Sequence, residues 1–430
     1  MYSTRLLILI VANTFSYMFY YHSVPFLVYD DSEVPNATAS FGLIIKYEKY
    51  QPRIKNSFYY QIAFGALIFC CFSDILGRKV VLGVNIVLNI VFNVFATISL
   101  SPKTLVAVHI GMGFNFVSGL VQGYLLLCES IPKEKKRFMT GVLFANWGFS
   151  LFLSSLLYKL EIHWKIIGLI PLFLSFIVYL SLPKYFESPV YLLSVEDLET
   201  SETVMSQICS NEKNEIPPKA LKQAFKDFKN YCNYFKDFGS NKRFLVILWF
   251  NTALLYFSLR NTRIKYVKNT FSNSMIAGLL LCSVLGFTTF NRKLDFWKVF
   301  LGSVILSRVS IFLLFFIEDN NLLAKTLYAV ACIGLLNEVY SVFFVTEELV
   351  KGRIKSKVFG VLIFIALFLS YQIKSALFEH SPSRSQCLLC SLAAISSVVP
   401  VIYLKNAQVK SSMVSLIPQK IGNYEMEPII

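Results

Sequence analysis

The chain has 430 residues, of which 55% are hydrophobic and only 16% are charged, and its mean hydropathy is +0.56. Soluble domains carry about a quarter charged residues, so this composition excludes an ordinary soluble domain and indicates an integral membrane protein. The net charge of +15 does not indicate a nucleic-acid binder, because the Lys and Arg residues are biased towards alternate loops, as membrane topology requires.

Six apolar runs occupy the first 184 residues, at about 6–27, 57–73, 80–100, 105–127, 138–157 and 166–182. Each is long enough to cross a bilayer as a helix. The first run continues beyond Arg5 without a small-residue cleavage site, which predicts a first span and no cleaved signal peptide. The next loop contains Asn36-Ala-Thr38, which predicts glycosylation of Asn36 if that loop is luminal.

Residues 185–242 are polar and are predicted to form a cytosolic linker. Apolar residues recur there at helical spacing after Pro217-Pro218, which predicts a basic amphipathic helix on the surface. Six further apolar runs follow, at about 244–259, 275–290, 299–317, 323–345, 358–377 and 386–404.

These runs together predict an all-α membrane protein with 12 transmembrane helices in two six-helix bundles. The bundles are residues 1–184 and 243–404, and residues 405–430 form a cytosolic tail. The nine cysteines give no disulfide framework, since most lie in apolar runs. Gly119 and Gly123, four residues apart, predict a close helix contact.

A charged turn separates the second and third runs, with the sequence Asp74-x-x-Gly77-Arg78-Lys79. Asp74 and Arg78 are four residues apart and share a face of a continuing helix, while Gly77 permits a tight exit from it. A charged turn between two spans must lie at a water boundary. The basic residues after the fourth run place that run's end on the same side, which the positive-inside rule makes cytosolic.

The spacing of this turn resembles the signature between the second and third helices of major facilitator superfamily transporters, with Cys70 in the place of the usual glycine. Further segments resemble the organic cation/anion/carnitine branch of that family. They are Glu187-Ser188-Pro189 after the sixth run, Arg243 to Asn251 at the seventh, and Glu129-x-x-Pro132 after the fourth. Leu369 stands where that branch often carries a charge, which leaves the charge of the cargo open.

The resemblance implies transport by alternating access, in which two packings of the same helices expose a central site to each side in turn. It implies a gate at the cytosolic side, for which the matching residues are Asp74, Gly77, Arg78, Lys79, Glu129, Lys136, Arg137, Glu187, Glu347, Glu348 and Arg353. It also implies a central site lined by the first, fourth, seventh and tenth helices. The candidate substrate ligands are Asn13, Tyr17, Gln122, Asn251, Tyr256, Asn337 and Glu338.

A carboxylate within a span costs roughly 2.5–3.5 kcal/mol, so Glu338 is expected to face either a partner or the cavity. Arg308 and Lys374 are the candidate partners, and a structural pair and a substrate or coupling role both remain open. The Asn85, Asn89 and Asn93 stripe lies on one face of the third helix, which favours hydrogen bonds between helices over cavity lining.

No nucleotide loop, metal-ligand cluster or nucleophile–base arrangement is present in the sequence, which predicts a protein that is not an enzyme and has no cofactor. The expected partners are a small organic solute and the lipid bilayer, not nucleic acid. We expect a multi-pass monomer in the plasma membrane. Two alternatives remain: a transporter-like receptor, sensor or scaffold that no longer transports, and a porter of sugars or other small solutes.

Overall fold

The structure is a computed structural model that describes residues 2–28, 51–98, 102–131, 133–160, 162, 164–212, 238–266, 278, 295–314, 316–317, 322–350, 354–378 and 398–405. Every regular element within these ranges is helical, as the sequence predicts. The predicted amphipathic helix after Pro217 lies outside them. So do the predicted glycosylation site at Asn36 and most of the predicted spans 275–290 and 386–404.

Six long helices form the N-terminal half: α1 (Tyr2–Val28), α2 (Gln51–Leu76), α3 (Arg78–Ile98), α4 (Pro102–Ser130), α5 (Lys133–Lys159) and α6 (Trp164–Ser181). A single 3-10 turn (Leu182–Lys184) and the short helices α7 (Pro189–Ser194) and α8 (Leu198–Glu212) follow. The C-terminal half contains α9 (Phe238–Tyr266), α10 (Phe296–Leu314), α11 (Leu322–Leu349) and α12 (Lys355–Phe378), and residues 398–405 are also helical. α9 therefore begins inside the segment assigned to the linker.

Eight helices of the described part are long and apolar enough to cross a membrane. Their spanning portions are Tyr59–Leu76, Arg78–Ile98, Ala107–Ser130, Lys135–Leu157, Ile166–Lys184, Phe296–Leu314, Thr326–Leu349 and Lys355–Ile373. The long helices α1 and α9, of 27 and 29 residues, pack with these spans. The described residues thus account for much of the predicted membrane-crossing architecture.

Polar side chains of the N-terminal half face one another inside it, as membrane burial requires. Asn89 donates to the hydroxyls of Ser16 and Ser175 at 2.9 and 2.8 Å, and the carbonyl of Asn85 accepts from the hydroxyl of Tyr17 at 2.9 Å. The side chain of Asn89 thus joins α3 to α1 and α6, and Oδ1 of Asn85 accepts from the hydroxyl of Ser118 on α4 at 3.0 Å, which confirms hydrogen bonding between helices for these two asparagines. Asn93 instead donates to Asn89 of its own helix at 2.9 Å. Apolar side chains such as Phe173, 65% exposed, cover the outside.

The N-terminal bundle, α1–α6, meets the C-terminal bundle, α9–α12, along a seam where α2 packs against α12 and α5 against α11. Gly360 of α12 makes the close approach possible, because a Cβ at that position would lie only 2.7 Å from the Cβ of Cys70 on α2. Gly119 has a related use inside the N-terminal bundle, where the ring of Tyr17 takes the space of its missing side chain.

Candidate functional site

A sharp turn fixes the charged groups at the end of the molecule where α2 stops and α12 starts, called here the charged end. α2 ends at Leu76, α3 begins at Arg78, and the residue between them, Gly77, has a φ of 105°. This backbone conformation strains any residue with a Cβ, so the predicted tight exit at glycine is confirmed. The carboxylate of Glu187 fits into the space beside it, where a Cβ would collide with it.

Glu187 caps the start of α3 from a distant part of the chain. Its Oε1 accepts hydrogen bonds from the backbone N–H groups of Arg78, Lys79 and Ser188 at 3.0, 3.1 and 2.8 Å. A carboxylate at a helix N-terminus satisfies free N–H groups and interacts favourably with the helix dipole. Burial raises the pKa of Glu187 above its ordinary value, and the three backbone donors only partly offset that effect.

Arg78 is fully buried and joins two carboxylates of the N-terminal bundle. Its Nη2 lies 3.1 Å from Oδ1 of Asp74, and its Nε lies 3.3 Å from Oε2 of Glu129. The hydroxyl of Ser188 donates to the same Glu129 oxygen at 2.5 Å, and the guanidinium stacks 5.0 Å from the ring centroid of Tyr191. The residues predicted from the charged turn are therefore in direct contact.

The network of ion pairs continues into the C-terminal bundle. Nζ of Lys355, at the start of α12, lies 2.9 Å from Oε1 of Glu347 and 3.7 Å from Oε1 of Glu129. Nζ of Lys136, at the start of α5, lies 3.2 Å from the same oxygen of Glu347. The result is a continuous series of alternating charges across the seam, called here the relay: Asp74, Arg78, Glu129, Lys355, Glu347 and Lys136.

Asp74 also makes a second connection between the bundles. Its Oδ2 accepts from the backbone N–H of Lys357 at 2.7 Å, and its Oδ1 accepts from that of Ser356 at 3.3 Å. Both donors belong to the first turn of α12, so a carboxylate of one bundle caps a helix of the other. This contact and the ion pairs Glu129–Lys355 and Lys136–Glu347 connect the two bundles at the charged end.

Gln122 lies at the seam, close to the relay. Its Nε2 donates to the hydroxyl of Ser356 at 3.1 Å, and its Oε1 accepts from the hydroxyl of Ser73. The same Nε2 lies 3.5 Å from the Cys70 thiol. In this conformation Gln122 therefore bridges α2, α4 and α12, and its predicted contact with substrate stays a prediction.

Three of the other predicted gate residues lie at or near the charged end. The guanidinium of Arg137 lies 5.7 Å from the ring centroid of Phe296, across the seam. Glu348 is half-buried beside Glu347, and Lys79 contributes its backbone N–H to the Glu187 cap. Arg353 lies outside the described residues. The role of these residues in a gate remains a prediction, and their positions at the charged end are compatible with it.

Glu338 is paired inside the C-terminal bundle. It accepts two hydrogen bonds from the guanidinium of Arg308 on α10, one of them at 2.7 Å, and a third from the hydroxyl of Thr252 on α9, also at 2.7 Å. Nine residues separate Glu338 from Glu347 on α11, which is two and a half turns, so the two side chains leave opposite faces of the helix. Arg308, one of the two expected partners, is thus paired with Glu338, while the side chain of Lys374 lies outside the described part of the chain.

The remaining predicted substrate ligands are mostly buried. The hydroxyl of Tyr17 is bonded within the N-terminal bundle, and Tyr256 contacts the ring of Tyr59 at 6.4 Å. The amide nitrogen and oxygen of Asn13 are buried, with no hydrogen-bond partner among the described residues. Asn251 and Asn337 are buried on α9 and α11. Their role in binding a substrate stays a prediction.

Lys355 is the relay residue that the sequence did not identify. It follows Glu347-Glu348 in a segment with several other basic residues, and the local sequence does not distinguish it from them. Only its place at the first turn of α12 brings it between Glu129 and Glu347. A weak signal existed, since a lysine in the first turn of a helix is unfavourable beside the positive end of the helix dipole unless carboxylates offset it.

Three solved structures share this architecture at low sequence identity. A double-tryptophan mutant of XylE has a TM-score of 0.74 and 12% identity, covering 94% of this chain and 96% of its own. The proton:xylose symporter XylE of E. coli, bound to 6-bromo-6-deoxy-D-glucose, has a TM-score of 0.71 and 13% identity, covering 93% and 94%. The human organic anion transporter MFSD10 has a TM-score of 0.62 and 11% identity, covering 93% and 99%.

At these identities the structural matches establish the fold alone. No curated protein matches the sequence significantly. A profile of the Major Facilitator Superfamily matches residues 6–371, which is most of the chain and includes both halves of the relay. The chain therefore belongs to the major facilitator superfamily, with the all-helical two-bundle fold of its transporters.

Proposed function

We propose that the protein moves a small organic solute across a membrane by alternating access, with the relay as the closed gate at one side. The observation that carries the proposal is the nature of the contacts across the charged end. They are two ion pairs, Glu129–Lys355 and Lys136–Glu347, and the cap that Asp74 places on α12. Contacts of this kind can break without unfolding either bundle.

The energies of these contacts suit a gate that must both close and open. The Glu129–Lys355 pair is buried and the Lys136–Glu347 pair is partly exposed. An exposed pair contributes about 0–1 kcal/mol, removing one partner of a buried pair costs about 3–5 kcal/mol, and a hydrogen bond to a charged group contributes about 1.5–3 kcal/mol. A change of about 1.4 kcal/mol alters the ratio of two conformations tenfold. A substrate that binds the two packings unequally can therefore shift the population. The basic residues at this end favour a cytosolic location for it.

The resemblance to the organic cation/anion/carnitine branch favours an organic ion as cargo. The pairing of Glu338 with Arg308 argues against a cation site at that carboxylate, because its charge is already compensated. A sugar or other neutral solute is the alternative cargo, and a non-transporting receptor, sensor or scaffold is the alternative function. Location in the plasma membrane, glycosylation at Asn36 and a monomeric state are further predictions.

The seam offers a direct test that uses a native cysteine. Because Nε2 of Gln122 lies 3.5 Å from the Cys70 thiol and 3.1 Å from the hydroxyl of Ser356, the substitution Ser356→Cys places a second thiol near the first across the seam. We expect oxidation to form a disulfide between α2 and α12 that locks the charged end closed. Uptake into vesicles of labelled tetraethylammonium, p-aminohippurate, carnitine and D-xylose should then stop, and a reductant should restore it.

The matched control combines Ser356→Cys with Cys70→Ser, which removes the partner thiol and leaves a single thiol at the seam. Its uptake should not respond to oxidant. If the disulfide forms and uptake continues at the original rate, the charged end does not open during transport. If the unlocked protein takes up no member of the panel, the receptor, sensor or scaffold alternative gains support.

A further inference from the structure

Aromatic rings of both bundles meet on the outside of the seam, where α2 and α12 lie side by side. The side chain of Phe64 on α2 is 40% exposed, and its ring centroid lies 5.2 Å from that of Phe364 and 6.4 Å from that of Phe368 on α12. The rings of Phe364 and Phe368 are stacked, with centroids 5.4 Å apart and planes 17° from parallel. Ile68, which is 42% exposed, lies about one turn beyond Phe64 on α2. An apolar surface therefore runs along the seam and is open to the lipid.

A polar pair ends this surface on the side opposite the charged end. Nε2 of Gln372 donates to the hydroxyl of Tyr60 at 3.2 Å, and this bond is exposed. The two residues stand at the ends of the spanning portions Tyr59–Leu76 and Lys355–Ile373, so the pair lies at the membrane boundary. The tyrosine hydroxyl accepts in this bond, which leaves its own proton to donate, and the side-chain carbonyl of Gln372 can still accept. The whole surface is called here the seam patch: Tyr60, Phe64, Ile68, Phe364, Phe368 and Gln372.

The seam patch has about the depth of one membrane leaflet. α2 and α12 run antiparallel, since Tyr60 meets Gln372 at one end and Asp74 meets Lys357 at the other. Ile68 follows Tyr60 by eight residues, which is about 12 Å along a helix at 1.5 Å per residue. Half of a hydrocarbon core of about 30 Å is about 15 Å. A molecule on the patch therefore lies in a single leaflet, with its polar end at the boundary and its apolar body along the rings.

A rigid, flat lipid suits this surface better than an acyl chain does. The rings of the patch are held by one another and by the buried Tyr371, whose ring centroid lies 4.9 Å from that of Tyr60, so the surface is preformed. A flexible chain loses rotational freedom when it lies along a fixed surface, whereas a fused ring system has little freedom to lose. The polar pair offers one donor and one acceptor, which together match a single hydroxyl group.

We propose that the seam patch binds a sterol, with its hydroxyl between Tyr60 and Gln372 and one face of its fused rings on the three phenylalanine side chains. Because both bundles contribute to the patch, a bound sterol favours the packing in which α2 and α12 are adjacent at this end. The patch lies on the outside of the bundles, away from the space in which a solute would pass. The inference therefore does not depend on the proposed function.

Photolabelling of the purified full chain in phosphatidylcholine vesicles tests this inference. The probe is a cholesterol analogue with a photoreactive diazirine on its ring system, and mass spectrometry of peptides locates the labelled residues. We expect saturable labelling of α2 and α12 along the seam patch, with competition by unlabelled cholesterol. Epicholesterol, which differs from cholesterol only in the orientation of the hydroxyl, should compete about two- to tenfold more weakly, because its hydroxyl cannot meet the polar pair while its rings lie flat on the patch.

Two substitutions remove one feature of the seam patch each. Tyr60→Phe removes only the hydroxyl, and Phe64→Leu keeps an apolar side chain and removes a ring, so each should weaken the affinity for the probe about two- to tenfold. The matched controls are Tyr179→Phe and Phe173→Leu, which make the same changes on the outer surface of α6, where these side chains are 44% and 65% exposed. The controls should leave the affinity unchanged. An unfolding temperature close to that of the wild type without sterol verifies that each variant folds.

Each other outcome overturns the inference. Labelling that does not saturate, or that spreads evenly over the lipid-facing helices, would mean that the sterol acts only as bulk lipid. Equal competition by epicholesterol, or equal loss of affinity in the patch and control variants, would exclude the proposed contacts. Stronger saturable labelling of the patch by a phosphatidylcholine with a diazirine on its acyl chain would indicate an acyl-chain groove. Labelling requires no transported solute, so this proposal and the Ser356→Cys lock can fail independently.

Discussion

The substitution Asp74→Asn weakens the cap that joins the two bundles, and it also removes the charge that Asp74 presents to Arg78 within the N-terminal bundle. In the wild type each carboxylate oxygen of Asp74 accepts a backbone N–H of α12, at 2.7 Å from Lys357 and 3.3 Å from Ser356. Asparagine keeps one acceptor oxygen and replaces the other with an NH2 group, which cannot accept. One bond is therefore lost and the other becomes neutral, while Arg78 keeps its contact with Glu129.

Hydrogen bonds to charged groups contribute about 1.5–3 kcal/mol and neutral ones about 0.5–1.5 kcal/mol. The loss of one such bond and the change of the other from charged to neutral should therefore cost the closed conformation about 3 kcal/mol. That is roughly a hundredfold change in the ratio of open to closed molecules. The assay is the rate at which a water-soluble thiol reagent modifies Cys128, which is 1% exposed beside Glu129 in the closed protein. All other cysteines are replaced by serine, and the rate should rise in proportion to the open fraction.

The matched control is Asp197→Asn, which makes the same chemical change at an exposed cap within one segment, where Asp197 accepts from the N–H of Thr200 at 3.2 Å. It should leave the modification of Cys128 unchanged. An Asp74→Asn protein that is folded and is modified at the wild-type rate would refute the reasoning, because the cap would then contribute nothing to closure.

Three further predictions concern stability, measured as the thermal unfolding of the purified protein. Gly77→Ala should lower the unfolding temperature, since a φ of 105° and the adjacent Glu187 carboxylate both oppose a Cβ, at a cost of about 1–3 kcal/mol. Glu338→Gln should lower the free energy of unfolding by about 3–5 kcal/mol, because Arg308 then stays buried without its counter-charge. The double variant Glu338→Leu with Arg308→Met removes both charges and should recover much of that stability. Burial raises the pKa of Glu187, so the folded state binds its proton more readily than the unfolded state. The contribution of Glu187 to stability should therefore increase as the pH falls towards 4.5, and Glu187→Gln should remove that dependence.

Local chemistry allowed the charged turn to be predicted from sequence. A glycine between two apolar runs, flanked by Asp74 and Arg78, leaves few arrangements, and the structure has the expected break at Gly77 and the expected pair. The asparagine stripe was predictable for the same reason, because its period places Asn85 and Asn89 on one face. In both cases the signal lies within a single segment of the chain.

Contacts between segments were harder to predict. Whether Glu338 meets Arg308 or Lys374 depends on which helices are neighbours, which no local pattern specifies. The position of Gln122 in the helical pattern of α4 is the same whether its side chain faces a cavity or the seam. Its hydrogen bonds to Ser73 and Ser356 show that it faces the seam. Phenylalanine and tyrosine are so frequent in this chain that the cluster of Tyr124, Phe144 and Phe343 cannot be recognised until helices from both bundles are brought together.

The division of the relay between the bundles has an electrical consequence. The N-terminal bundle contributes Asp74, Arg78, Glu129 and Lys136, which sum to zero, and the C-terminal bundle contributes Glu347 and Lys355, which also sum to zero. A transmembrane voltage does work only on net charge that it displaces, about 2.3 kcal/mol per elementary charge for each 100 mV. In the proposed opening these six groups would move as two neutral sets, so a translation of one bundle away from the other would displace no net charge of the relay.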